Sequence, residues 1–189
     1  MQLNINFKTV LEYLETPNPN HHAGDKQITY LTFDPSETIE VKRRLGNWIS
    51  LAKGFDFTCV AVSMATVIND FFRSNQRRNS WVMPDGNSDF DEVVGFFKVD
   101  LGSMVVENKI IENAILNAQE ELKSQPKPLL IVTDLEAIHP FTRFGPIEQK
   151  IYNEIEIPII ILYPGTLSGS SLEFFGFYPP DGNYRSKHF

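Results

Sequence analysis

Asp134 and Glu136 close an apolar run of Leu129, Leu130, Ile131, Val132 and Thr133. An acidic residue at the end of a buried strand is how P-loop ATPases hold magnesium beside a bound triphosphate. That chemistry also needs a glycine-rich loop carrying Lys and Ser or Thr, whose backbone N–H groups cradle the phosphates. Where the first strand ends, the chain instead reads Asp34, Pro35, Ser36, Glu37. Nucleotide hydrolysis is not expected from this pair, and both carboxyl groups are expected to cap or hydrogen-bond local backbone. A second candidate is the stretch Gly165, Thr166, Leu167, Ser168, Gly169. A nucleophile elbow sets its serine two positions from a glycine on either side, whereas Ser168 stands three after Gly165 and one before Gly169. His139 offers a base, yet no spacing assigns the orienting carboxylate or the oxyanion hole that a triad requires. No catalytic residue is assigned. The glycines instead suggest a flexible turn whose free backbone N–H groups contact an anion or a peptide.

The other chemistry-bearing residues read as structural. His21 and His22 are adjacent, so their side chains diverge, and no third ligand stands at useful spacing; an exposed loop is expected and no metal site is assigned. The single cysteine, Cys59, lies in an apolar run and is expected to act as a buried small hydrophobe, with no disulfide partner in the chain. Arg73, Arg77 and Arg78 form the one basic cluster, a solvated loop with a weaker reading as an anion contact. The aromatic run from Phe174 to Tyr178 is expected in the core, with Tyr184 and Arg185 as candidate interface anchors.

These residues must be positioned by an α/β framework. Phe7, Val10, Leu11 and Leu14 give a helix over 6–14, and a loop follows over 16–25. Residues 27–33 read as the first strand. Asp34 as N-cap, Pro35 at the first helical position and Glu37 as a capping box then open a helix that ends at Gly54. Its buried side carries Val41, Leu45, Trp48, Ile49 and Ala52. A second strand covers 55–62, and Ser63 caps a helix through Phe72. Phe90 to Phe97 form a short helix, and Ser103 is expected to cap a longer one reaching about Lys123 with Val106 buried. Two further strands, 129–134 and 158–163, bracket a short helix over 145–153.

Strands alternating with helices predict one three-layer α/β domain over 1–189, with a mostly parallel sheet of about four to five strands and helices on both faces. The near-continuous apolar strands agree with burial on both sides. At 189 residues, with 42 % hydrophobic and 22 % charged residues, the chain can bury a core without staples. A net charge of −7 disfavours general affinity for nucleic acid. The start of the chain has no signal-peptide pattern and no apolar run approaches a membrane span, so a cytoplasmic location is expected.

The chain resembles the BrxB family, the small component of bacterial BREX phage-exclusion systems. The resemblance rests on Tyr30 to Glu37, on Phe57 to Phe72 and on three stronger blocks. The first is His139, Pro140, Phe141, Thr142, Arg143. The second is Tyr163, Pro164, Gly165 with Gly169, Ser171, Leu172, Phe174 or Phe175 and Gly176. The third is Asn183, Tyr184, Arg185. Two departures lie in these blocks: Thr166, Leu167 and Ser168 replace an acidic and aromatic turn, and one Tyr184 stands where two tyrosines are usual. The resemblance implies a cytoplasmic defence protein with no enzymatic activity or cofactor of its own, acting as an adaptor in a multi-protein assembly. Its partners would be PglZ first, then PglX and BrxC, with DNA contacted only indirectly. Partner-binding candidates are His139, Arg143, Pro164, Gly165, Gly169, Ser171, Asn183, Tyr184 and Arg185. The rival expectation is a degenerate P-loop-like nucleotide-binding or regulatory domain without hydrolysis, with Asp134, Glu136 and Arg143 facing a nucleotide or oligonucleotide.

Overall fold

The computed structural model describes residues 2–16, 28–79, 90–139, 141–168, 171–176 and 186–189. Four strands build the parallel body of the sheet: β1 (Ile28–Phe33), β2 (Thr58–Ser63), β3 (Pro128–Thr133) and β4 (Ile159–Ser168). Two short ones complete it, β5 (Ser171–Phe174) and β6 (Lys187–His188). The order across the sheet is β2, β3, β4, β1, β6; these pairs are parallel, and β5 alone runs antiparallel, against β4.

The sheet divides two apolar clusters, because successive side chains of a strand point to opposite faces. One face carries Leu31, Phe33, Leu129, Ile131, Ile160 and Leu162. It is covered by α1 (Gln2–Glu15) and α2 (Thr38–Gly54). The other carries Tyr30, Leu130, Val132, Ile159, Ile161 and Tyr163. Packed there are α3 (Met64–Ser74), α4 (Phe90–Glu107), α5 (Ile110–Leu122) and α6 (Phe144–Ile151). A three-layer α/β architecture with helices on both faces is thus what the alternation of strands and helices predicts.

The local signals act in part as expected. Asp34 accepts from the Ser36 N–H at 2.8 Å and opens a 3-10 turn, Pro35–Glu37, that leads into α2. Glu37 stands as the N-cap residue of α2 and makes no side-chain cap bond to that helix. Ser63 caps α3 through a 3.3 Å bond from the Thr66 N–H. Ser103 does not start a helix: α4 runs unbroken through it, and the break falls at Lys109, whose φ of 49° is left-handed. That shift of phase buries Val105 and leaves Val106 39 % exposed. The loop expected over 16–25 lies almost wholly outside the described residues.

Two connections set the site. After β1 the chain leaves through α2 on the first face, and after β3 it leaves through a 3-10 turn, Leu135–Ala137, and α6 on the second. Between them stands β4. In open α/β sheets, ligands and partners are received outside the carboxyl ends of strands where connections part in this way.

Candidate functional site

Asp134 is the first residue beyond β3 and adopts the left-handed conformation, φ 60°, which Asp tolerates better than most residues. Its carboxyl group is a junction. Lys42 on α2 lies 2.8 Å from Oδ1. The hydroxyls of Ser63, at the end of β2, and Thr133, at the end of β3, donate to Oδ2 at 2.5 and 2.8 Å. Lys42 also reaches Glu136 at 2.6 Å. Burial pushes the Asp134 carboxyl up, but the bonds from Lys42, Ser63 and Thr133 outweigh it and hold the group below its ordinary range. Burial likewise pulls Lys42 down, and its two carboxyl partners more than reverse this. The expected role of Asp134 and Glu136 in capping local backbone is thus replaced by an ion-paired network that ties α2 to the ends of β2 and β3.

Beside this network lies a cleft of about 190 Å³ under α2. Phe33, Val41, Leu45 and Leu162 make its apolar wall; Lys42, Asp134 and Glu136 stand at its charged side. Arg143 does not belong to it. It faces a separate, water-sized cavity of about 10 Å³ on the opposite side of the sheet, together with His139, Thr142, Tyr163 and Phe174. The rival expectation grouped Asp134, Glu136 and Arg143 around one ligand; the sheet separates them, because Leu135 turns into one core cluster while Glu136 borders the cleft on the other face.

His139 stacks on Phe174 at 4.8 Å, with planes 7° apart, and Phe174 in turn meets Tyr163 and Phe175 edge-on. His139 and Arg143 are both half-buried. Pro164 and Gly165 come to the same end of the sheet, but not in a free turn. β4 continues through them to Ser168, and their backbone pairs with β5 in the register Gly165 to Phe174 and Ser168 to Ser171. Both are buried, while Thr166 and Leu167 are exposed toward the hairpin tip. A Cβ on Gly165 would stand against the Glu173 carbonyl oxygen and 2.9 Å from Tyr163 Cε1. Glycine is needed there for close approach of two strands. The aromatic run is core where it is described, with Phe174 buried and Phe175 packed beside it.

Ser171 lies in β5; Gly169, Asn183, Tyr184 and Arg185 lie outside the described residues. Arg73 lies in the last turn of α3, Arg77 lies 3.7 Å from Asp100, and all three arginines of that cluster are exposed. Cys59 is buried, and burial pushes its thiol up to about 11, an unreactive state at neutral pH. Among the described residues no group of three His, Cys, Asp or Glu is placed to hold a metal ion, and no helix is long and apolar enough to cross a membrane.

Sequence reasoning missed two anchors. Lys42 is one of four basic residues on α2, with Arg43, Arg44 and Lys53, and nothing local marks it. Glu148 is 2 % exposed and accepts from the Tyr30 hydroxyl on β1 and the Ser186 hydroxyl, both at 2.5 Å. A signal for it was present: Phe144, Ile147, Glu148 and Ile151 follow helical spacing, so Glu148 is an acid set in an apolar stripe. It holds the final residues against β1, where Phe189 also exchanges backbone bonds with Tyr30 and Thr32 at 2.9 Å.

No curated protein and no solved structure matches the chain. A family model described as "BREX protein BrxB" matches residues 63–189. The match begins at Ser63, the residue that joins the helix cap to Asp134, and takes in His139, Arg143, the β4–β5 hairpin and the final residues. The Tyr30 to Glu37 block and Lys42 lie before it. With more than half of its length matched, the chain belongs to the BrxB family of BREX defence components.

Proposed function

We propose that this chain is a non-catalytic adaptor of a BREX-type phage-defence complex in the cytoplasm, holding partner proteins at the carboxyl end of its sheet. The observation that carries this reading is family membership over residues 63–189, the part of the chain that holds the His139 to Arg143 block, the hairpin and the tail. The contact surface would comprise His139, Arg143, the exposed hairpin residues Thr166 and Leu167, and Asn183, Tyr184 and Arg185. Pro164 and Gly165 would act from beneath, by setting the hairpin. Alkaline-phosphatase-like PglZ is the first partner to test, with PglX and BrxC after it.

Co-expression with a tagged PglZ-type protein of the same system, followed by size-exclusion chromatography, tests the reading. Co-elution at defined stoichiometry is expected. Replacing Tyr184 and Arg185 together by Ala should weaken it at least tenfold while the protein stays folded, since Tyr and Arg anchors carry much of an interface's energy. Separate elution of two folded proteins would overturn the choice of partner.

The nucleotide reading keeps one favourable observation, a cleft beside the strand ends. Its chemistry is unfavourable for phosphate alone, because two carboxyl groups against one ammonium repel an anion unless a metal ion stands between them. A melting-temperature screen with nucleotides and magnesium should show no shift; a clear rise would restore it.

A further inference from the structure

The cleft under α2 joins an apolar wall to a charged mouth. Its size, about 190 Å³, suits one long side chain rather than a helix, which is about 10 Å across. Phe33, Val41, Leu45 and Leu162 offer no hydrogen-bonding group from their side chains, and the hydroxyls of Thr38 and Thr133, which also line the cleft, already donate to the Pro35 carbonyl and to Asp134. The mouth carries two carboxyl groups and one ammonium, a local balance of −1. Donors are unevenly shared: Asp134 receives Lys42, Ser63 and Thr133, whereas Lys42 alone, through Oε1, is the donor that Glu136 has among the described residues. Lys42 is itself 45 % exposed in its side chain, so its head can move into water at little cost. An anionic occupant would meet repulsion here. A purely apolar one would strip water from the charges and return no bond. A flexible apolar stem ending in a cation satisfies both parts of the cleft.

We infer that this cleft receives one basic side chain, arginine before lysine, from a partner protein. The inference rests on the adaptor reading for the existence of that partner, and on the cleft alone for its chemistry. The stem lies along Val41, Leu45 and Leu162, and the head meets Glu136 while Lys42 turns outward. Arginine is preferred because its planar fork can bond two carboxyl oxygens at once. The occupant would enter on the face opposite His139 and Arg143, so the adaptor would grip its partner on both sides of the sheet's carboxyl edge.

The test uses the isolated full chain labelled with nitrogen-15, titrated with N-acetyl-L-arginine N-methylamide. The matching citrulline amide, which has nearly the same shape and no charge, is the control. Saturable shifts are expected at the amides of Val41, Leu45, Thr133 and Glu136, with citrulline binding roughly fivefold weaker. Glu136→Gln, which keeps the Lys42–Asp134 pair, should weaken arginine binding by about the same factor. Lys42→Met removes the internal competitor and should strengthen it; if that variant does not fold, Glu136→Gln still decides. Unsaturable shifts, equal affinity for arginine and citrulline, or weaker binding by a folded Lys42→Met protein would overturn the inference. Arginine binding without PglZ-type co-elution would uphold the cleft and overturn that partner. Co-elution without arginine binding would do the reverse.

Discussion

Asp134 combines a left-handed backbone with a carboxyl group only 13 % exposed and three donors drawn from α2, β2 and β3. Asn tolerates the same backbone, so Asp134→Asn removes the charge and turns one of the two acceptor oxygens into an NH2 donor. It should destabilise the protein by about 1–2 kcal/mol, Lys42's share staying small because its head is largely in water. The pH dependence has a definite sign. The folded carboxyl sits below its ordinary value of 3.8, so its contribution is complete above pH 3.8 and is lost as pH falls through the depressed value. Chemical denaturation of both proteins should show the gap at pH 7 and its closure in strong acid; a gap independent of pH would exclude this role. The acidic strand end was legible in the sequence, because Asp after an apolar run is a local feature. Its partner Lys42 was not, because only folding brings α2 over the end of β3.

At the scale of elements, the β4–β5 hairpin decides what partners can touch. A Pro-Gly pair after an apolar run reads as a turn, and the sequence expectation was a loop with free N–H groups. The chain instead carries the strand through Gly165, since the absence of a side chain lets β5 approach where a Cβ would meet the Glu173 carbonyl. Gly165→Ala must push the strands apart and should cost about 1–3 kcal/mol. Hydrogen exchange at Thr166 and Phe175 should accelerate relative to β3 amides; unchanged exchange would show that the hairpin absorbs the methyl group. Ser103 teaches the complementary lesson. Serine is a good cap, but tertiary burial of Val105 favours continuing the helix over ending it there, and the break falls at Lys109, where the Asn108 side-chain amide donates to the Met104 carbonyl at 2.7 Å.

Across the whole molecule, Glu148 joins three distant parts of the chain: α6, β1 through Tyr30, and the tail through Ser186. Glu148→Ala would leave both hydroxyls without this acceptor and a void beside the Tyr30 ring, a loss of about 2–4 kcal/mol. The tail should respond beyond the global loss, with faster exchange at Phe189 and Thr32 than at Leu130. Uniform acceleration would mean the tail is held by β6 pairing and not by this anchor. Gln119 does similar work on the same face, donating to the Glu154 carbonyl and accepting from the Glu156 N–H, which fixes the approach to β4.

The sequence alone determined the class of fold, because helical and strand periodicities and the apolar character of the parallel strands are properties of neighbouring residues. It also determined the family, since the family model matches residues 63–189, the part of the chain where the blocks at 139–143, 163–176 and 183–185 lie. Tertiary structure alone decided which side chains share a cleft. Leu135 and Glu136 are adjacent in sequence, yet the turn after β3 sends them to opposite faces of the sheet. Lys42 and Asp134 are far apart in sequence, yet the crossing of α2 over the strand ends puts them 2.8 Å apart. Periodicity reports which face of an element is buried; only the order of strands reports what that face meets.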